Sequence, residues 1–442
     1  MDRRSIAGVV AAALVVAFAG SLATAAVNGT RVTAVISRNA NGPSHGGSFS
    51  QDGRKVDYYA FASMASNLVS GDTNGRQDVF VLQRGSSPSA LAGDLSRASL
   101  STGGQEGNGD SGNPSFDGDS GHAPHCVAFQ STATNLAPGA TSGASHVFVR
   151  NLRSRRTTLV SAGQDGATDP VIDGECQFVT YDVGGVVFLR DLEAGRTYGI
   201  AHGVQPDQQT DGKGVAYVRD GQVWYQAFQK IFNHGHPKVV QRGGERLVSA
   251  GAHGRGDGAS AHPSVSDNGD YVAFESTSTN LCEDLCRGVS HDDNGPVSDV
   301  FRRTMSGDAP TNDKMEMASY SAGVRAQGNG PSNDPVISGS GQFIAFDSAA
   351  TNMRPSYSIR DIDPNGSIRD IYLWNAPVKK RGAGNVSRES RPGPKGSFNG
   401  PSTDPALSSH GNFVAFQSSE VGALPGDSSA LPKLLLRYLG GK

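Results

Sequence analysis

Short apolar runs alternate with polar residues along most of the chain, and turn-forming Gly, Asp, Asn and Ser separate them. The runs follow one frame. It is seen in "DPVISGSGQFIAFDSAATN" from Asp334, "HPSVSDNGDYVAFESTSTN" from His262 and "DPALSSHGNFVAFQSSEVG" from Asp404. Each has a Pro, a small apolar residue, Ser or Asp, a turn with Gly, then apolar-Ala-aromatic. The step from Pro335 to Phe346 recurs from Pro263 to Phe274, Pro405 to Phe416, Pro170 to Tyr181 and Pro206 to Tyr217. Two further copies vary the frame: one from Asn113 has a longer turn, and one from Gly46 lacks the Pro.

After the aromatic come polar residues, often "TN", then a loop and a third apolar run. Examples are "DVFVLQ" from Asp78, "HVFVRNL" from His146 and "DIYLWNA" from Asp370. A fourth short run follows, as in "RASLS" from Arg97, "TTLVS" from Thr157 and "ERLVS" from Glu245. Period-two alternation, β-branched and aromatic residues and Gly-rich turns make each run a strand. Four strands per repeat describe the blade of a β-propeller, which buries both faces only when its neighbours close a ring. The last copy stops at its third run, "LPKLLLRYLGGK", while an orphan run, "RVTAVIS" from Arg31, stands near the start. The expected fold is therefore all-β: a seven-bladed β-propeller of four-stranded antiparallel blades, closed by an N-terminal strand that completes the last blade.

Composition changes little in this picture. The 58 Gly and 22 Pro fit disorder or a turn-rich β fold, and the regular apolar runs decide for the second. A formal net charge of -3 gives no basic footprint for nucleic acid. The start of the chain reads as an export signal: "MDRR", an apolar core, then "ATA" at Ala23 to Ala25. Residues 1–25 are expected to be removed, by the general or the twin-arginine route, leaving 26–442 as one propeller domain, a monomer outside the cytoplasm. The apolar run is shorter than the ~20 residues of a membrane span, and no later segment is apolar enough.

Cysteine usage fits that compartment. Cys282 and Cys286 frame "CEDLC" and suggest a local disulfide. Cys126 and Cys176 lie in neighbouring repeats and suggest a bridge between them. A zinc site on all four is the rival.

The frame P-x-[VIF]-S-x-x-G-x-x-[VI]-A-F resembles the WD40-like propeller repeats of the TolB-like class, over nearly all of the mature chain. The resemblance implies a propeller fold, a periplasmic or extracellular place, and a protein-binding or scaffolding role. TolB itself resembles a six-bladed propeller preceded by an α/β domain. Seven copies that start straight into a strand depart from it, so a role in the Tol envelope system does not follow.

Three loops between second and third strands are acidic. In "LVSGDTNGRQDVFV", Asp72, Asn74 and Asp78 surround Gly75; "SHDDNGPVSDVF" offers Asp292, Asn294 and Asp299; "RDIDPNGSIRDIY" offers Asp361, Asp363, Asn365 and Asp370. Alternate carboxylates about a Gly turn can cage calcium, so structural calcium is a candidate cofactor. Asp and Asn also make turns without metal, and the matching blade-2 loop, "PGATSGASHVF", carries no carboxylate.

Catalytic motifs are weak. "NGDSGNP" around Ser111 and "PHCVAF" at His125 echo serine-protease segments, but in the wrong order and within one repeat. "NHGHP" offers His234 and His236 with no further ligand nearby, as a loop would. The residues before each blade-start Pro are a better candidate: Asn113, Asp169, Gln205, His262, Asp334 and Asp404. On innermost strands they would ring one mouth of the central channel, where a cation, an amine or a sugar could bind; capping a turn before Pro is their structural alternative. The function expected is a binding or scaffold module for an unidentified protein or small polar ligand. The rivals are a hydrolase or lyase using the channel carboxylates, and a purely structural envelope protein.

Overall fold

The computed structural model describes residues 25–28, 31–37, 39–53, 56–85, 91–233, 236–282, 286, 295–305, 315–321, 326–355, 363, 365–377, 384–391, 398–421 and 431–440. Among them there are strands and turns but no helix. The strands form seven antiparallel blades. From the channel outward, blade 1 is Ser44–Phe49, Tyr58–Ser63, Asp78–Arg84 and Gly93–Arg97. Blade 2 is Ser111–Phe116, Cys126–Ser131, His146–Asn151 and Arg156–Leu159. Blade 3 is Thr168–Ile172, Phe178–Val183, Val186–Asp191 and Arg196–His202. Blade 4 is Val204–Gln208, Gly214–Arg219, Gln222–Asn233 and His236–Leu247. Blade 5 is Ser260–Val265, Tyr271–Ser276, Asp299–Thr304 and Met315–Met317. Blade 6 is Ser332–Ile337, Phe343–Ser348, Asp370–Asn375 and Asn385–Arg388.

Blade 7 has the expected mixed origin. Ser402–Leu407, Phe413–Ser418 and Lys433–Tyr438 come from the C-terminal end, and Arg31–Val35 pairs antiparallel with the last of them, Val32 opposite Tyr438 and Val35 opposite Leu435. Ala25–Asn28 adds a fifth strand outside Arg31–Val35, which the fourfold repeat did not foretell.

The repeated residues have repeated jobs. The frame's aromatic stacks on the aromatic opposite it on the third strand in Phe61–Phe80, Phe129–Phe148, Tyr181–Phe188, Phe274–Phe301 and Phe346–Tyr372, with ring centroids 5.7–6.0 Å apart. Such pairs contribute about 0.5–1.5 kcal/mol beyond their buried area. The frame's Ser caps the hairpin: Ser50, Ser266, Ser338 and Ser408 Oγ each accept the backbone N–H of Tyr58, Tyr271, Phe343 and Phe413 at 3.0 Å. The Asn of "TN" holds the loop that enters the blade. Asn67, Asn135, Asn280 and Asn352 accept from the N–H of Asn41, Asn108, Asp257 and Asn329.

The fourth runs differ from expectation in one respect. In blade 1 the outermost strand ends at Arg97, where "RASLS" begins. The serines of these runs lie beyond the strand and turn back to the third one: Ser99, Ser161, Ser249, Ser319 and Ser390 Oγ accept the N–H of Val79, Val147, Val223, Val300 and Ile371. Elsewhere the runs carry the outermost strand, as in Arg156–Leu159, Arg196–His202 and Asn385–Arg388, and in blades 2 and 6 the clasp lies beyond it.

Both expected disulfides are present, Cys126–Cys176 and Cys282–Cys286, and they consume all four sulfurs, which removes the zinc rival.

Candidate functional site

Each innermost strand breaks its ladder at the same place. Register slips between His45 and Gly47, Gly112 and Ser115, Thr168 and Val171, Val204 and Asp207, Ala261 and Ser264, Asn333 and Val336, and Thr403 and Ala406. Six of these bulges hold a blade-start Pro, which has no N–H to give to a ladder. The residue before it takes a left-handed conformation: φ is 45° at Asn113, 50° at Asp169, 53° at Gln205, 47° at His262, 51° at Asp334 and 50° at Asp404. In blade 1 Gly46 occupies the place. A non-glycine residue there costs of order 1 kcal/mol, and the chain bears that cost six times over. All six residues line one cavity of about 620 Å³.

The bulge turns its own N–H toward the preceding blade, where the residue after the frame aromatic receives it. Gln130 Oε1 accepts from Asp169 N at 3.3 Å, and Glu275 Oε2 from Asp334 N at 2.8 Å. Asp182 does the same for Gln205. This second ring was not anticipated. Its sequence signal is "VAFE", "IAFD" and "VTYD", an acidic residue directly after the aromatic. His45 and Gln77, joined at 2.8 Å, also face the cavity.

Four carboxylates line the cavity, Asp169, Asp207, Asp334 and Asp404, and Asp182, Glu275 and Asp347 stand beside them. His262 Nδ1 lies 3.1 Å from Glu275 Oε1 and 3.2 Å from Asp334 Oδ1, so three donor atoms suited to a metal face one another. The hydrogen bond to Glu275 holds the imidazole above its usual pKa. Burial pushes Asp182 up to about 6, with Asp169 adding to the rise. It pushes Asp347 up to about 7, although Arg369 beside it pulls the other way. Burial raises Asp169, Asp334 and Asp404 too. The ring is crosslinked by Asn113 Nδ2 donating to Asp169 Oδ1 at 3.3 Å and by His262 N donating to Gln205 Oε1 at 3.3 Å.

At the far end the channel is drawn together. Turns of successive blades bond through Gln51 N to Asp117 O, Gly118 N to Gly174 O, Gly174 N to Thr210 O, Asp267 N to Gly339 O and Gly339 N to Ser409 O. Asp267 accepts Thr210 Oγ1 at 2.7 Å and Ser409 Oγ at 2.6 Å, so it links blade 5 to the non-adjacent blade 7. A methyl group at Gly339 would meet Asp267 Oδ2 at 1.9 Å.

The acidic loops are organised around arginine. Arg97 Nη1 lies 3.1 Å from Asp72, 3.1 Å from Asp78 and 2.6 Å from Glu106. Asn74 donates to Asp78 Oδ2 at 2.9 Å, and its own oxygen caps Arg76 N. In blade 6 Arg388 lies 2.7 Å from Asp363 and 3.6 Å from Asp370, and Asn365 donates to Phe398 O. In blade 5 Asp299 accepts from Ser319 Oγ and from Gln327 Nε2, both at 2.5 Å. Asp292, Asn294, Asp361 and His234 lie outside the described residues, as does most of the export segment, residues 1–24. The protease echo fails on placement. Ser111 Oγ is buried against Ser131 Oγ at 2.9 Å, while His125 sits at the other end of the hairpin beside Asp117.

No protein-family model matches the chain, and no curated protein sequence matches it. Solved structures do match its shape. Oligogalacturonate lyase in complex with manganese superposes with a TM-score of 0.53 at 11% identity, covering 95% of this chain and 96% of that one. The β-propeller domain of the trilobed protease from Pyrococcus furiosus gives 0.48 at 6%, over 90% and 96%. TolB from Acinetobacter baumannii gives 0.33 at 13%, over 74% and 80%. At these identities the likeness is one of fold: the chain is a β-propeller.

Proposed function

We propose that the protein is an extracytoplasmic binding module of the TolB-like propeller kind, and that its recognition site is the polar mouth of the central channel. The observation that carries this reading is the set of six left-handed bulges, each aiming a polar side chain into one cavity. The bulges also bond neighbouring blades, and the same strain sets six polar side chains facing one space, as a recognition site requires. The collected carboxylates select a cationic occupant. His262, Glu275 and Asp334 are a donor set suited to a divalent ion such as manganese or calcium, and a lyase of the same fold is seen with manganese. Such an ion would supply a fixed positive centre for an oxygen-bearing ligand, with Asn113, Gln205 and Asp404 orienting the rest. Export by residues 1–25 and life as a monomer complete the reading; the two disulfides support an oxidising compartment.

Calorimetry with MnCl2 and with CaCl2 tests it on the wild type and on His262→Ala, Asp334→Asn and Asp404→Asn. Binding lost in the first two variants and weakened in the third supports the site. Binding equal in all four proteins, or seen in none, removes it.

A second reading, a hydrolase or lyase, is favoured by Asp182 and Asp347. Burial raises their carboxyls to about 6 and about 7 beside the mouth, within the range that a general acid or base at neutral pH needs. An activity found by substrate screening and unchanged in both Asp182→Asn and Asp347→Asn would place catalysis elsewhere.

A further inference from the structure

We propose a second divalent-metal site on the opposite face of the propeller, at the seam of blades 2 and 3, formed by Asp119, His122 and Glu175. One ligand atom from each lies within 4.8 Å of the other two. His122 Nδ1 is 3.1 Å from Asp119 Oδ2 and 3.9 Å from Glu175 Oε1. Bonds of 2.0–2.1 Å to a tetrahedral ion place ligands about 3.3–3.4 Å apart, and the two distances bracket that edge. One imidazole and two carboxylates suit Zn2+ and leave a fourth position for water.

The residues are held for the task. Asp119 and His122 sit on the insertion that lengthens the first turn of blade 2. Asp119 Oδ1 accepts the N–H of Gly121 at 2.6 Å and of His122 at 2.7 Å, which lays the imidazole over the carboxylate, with Nδ1 3.1 Å from both of its oxygens. Glu175 comes from the next blade and adjoins Cys176, whose bridge to Cys126 fixes the seam.

The local charge is independent of that geometry. Asp117 and Asp173, both fully buried, stand in the same pair of turns. Asp117 Oδ2 lies 3.2 Å from His125 Nδ1, burial pushes the Asp117 carboxyl up to about 7, and Arg153, the cation acting on Asp117, gives its Nη2 to Ala123 O at 3.1 Å. The surface carboxylates of Asp119 and Glu175 thus carry the negative charge that faces His122, and that charge favours a dication. Metal uptake expels the proton on His122 Nδ1, and the imidazole, 54% exposed, is open to solvent for it.

Calorimetry and thermal unfolding with ZnCl2 on the untagged mature chain test the site. Wild type should take up one ion here with a rise in the unfolding midpoint. His122→Ala and Glu175→Gln should each weaken that event ~10-fold or more, and both positions are surface residues whose loss leaves the blades packed. His262→Ala, which alters the channel mouth, should retain it. Zinc affinity unchanged in His122→Ala and Glu175→Gln, uptake abolished by His262→Ala alone, or no uptake by the wild type would each overturn the proposal. The channel reading stands or falls separately on its own variants.

Discussion

Ser37 Oγ accepts the backbone N–H of Leu434 at 3.0 Å, across 397 positions of sequence. The same clasp joins Ser99 to Val79, Ser161 to Val147, Ser249 to Val223, Ser319 to Val300 and Ser390 to Ile371 within single blades. In blade 7 the two partners come from opposite ends, so a local device becomes the closure of the ring. Ile36 N to Leu434 O, at 3.0 Å, continues it. Ser37→Ala leaves a buried N–H without its acceptor and should cost about 1–3 kcal/mol. Removal of residues 1–37 strips the strand and exposes Leu434, Leu435 and Leu436, all fully buried in the intact ring. Urea unfolding should show a modest midpoint loss for the substitution, and a broad transition or aggregation for the truncation.

Arg97 Nη1 stands among the carboxylates of Asp72, Asp78 and Glu106 as their shared cation. Truncating it leaves three carboxylates facing one another, and loss of one partner from a buried charge cluster costs roughly 3 kcal/mol. Arg97→Ala should therefore melt well below wild type in the presence of a chelator. It should regain much of the loss on addition of CaCl2, and the wild type should shift less. Equal calcium responses in the two proteins would show that the loop is no cation site even when vacated.

The disulfides should contribute unequally. Cys126–Cys176 closes 50 residues and Cys282–Cys286 closes 4. Loop entropy assigns about 4 kcal/mol to the first and about 2 kcal/mol to the second. The first also joins two blades, where the second pins one loop. Chemical denaturation of Cys126→Ala/Cys176→Ala and Cys282→Ala/Cys286→Ala should rank them in that order.

Blade number and ring closure were legible in the sequence because each blade repeats the same solution to the same packing problem. The stacked pair Phe346–Tyr372 and the hairpin cap Ser338 recur at fixed spacing, and spacing is visible in one dimension. The six-residue ring at the mouth was legible for the same reason, since Pro fixes where each bulge falls. What escaped was set by contacts between blades. Asp182, Glu275 and Asp347 follow the aromatic as any surface residue might, and only the ring places them beside the next bulge. The arginines of the acidic loops escaped likewise, because Arg97 ends the outermost strand while Asp72 lies in the loop before the third, and no spacing rule connects them. Asp119 and Glu175, in different blades, were joined only by the seam. The fifth strand, Ala25–Asn28, has no counterpart in the repeat and so no pattern to announce it.

The channel carboxyls should make the fold less stable as pH rises. Asp207 lines the cavity, and burial pushes its pKa up to about 7 against the ordinary 3.8, although the N–H groups of Val265 and Gln208 pull it down. Asp347 is pushed to about 7 as well. Between those limits the folded protein keeps protons that the unfolded chain has released. The folded state is therefore favoured at the acidic end, and stability is lost as pH climbs toward about 7, by up to about 1.4 kcal/mol per pH unit for each such proton. Glu106, held down to about 2 by its hydrogen bonds to Thr73 and by Arg97, acts in the opposite sense but only below the ordinary glutamate range. Urea midpoints measured from mildly acidic to mildly alkaline pH should fall in the wild type. They should fall less in Asp207→Asn, whose amide oxygen can still accept from Val265 N without carrying a proton to lose. An unchanged slope in that variant would mean that Asp207 is ionised throughout the range and that its burial is relieved by water in the channel.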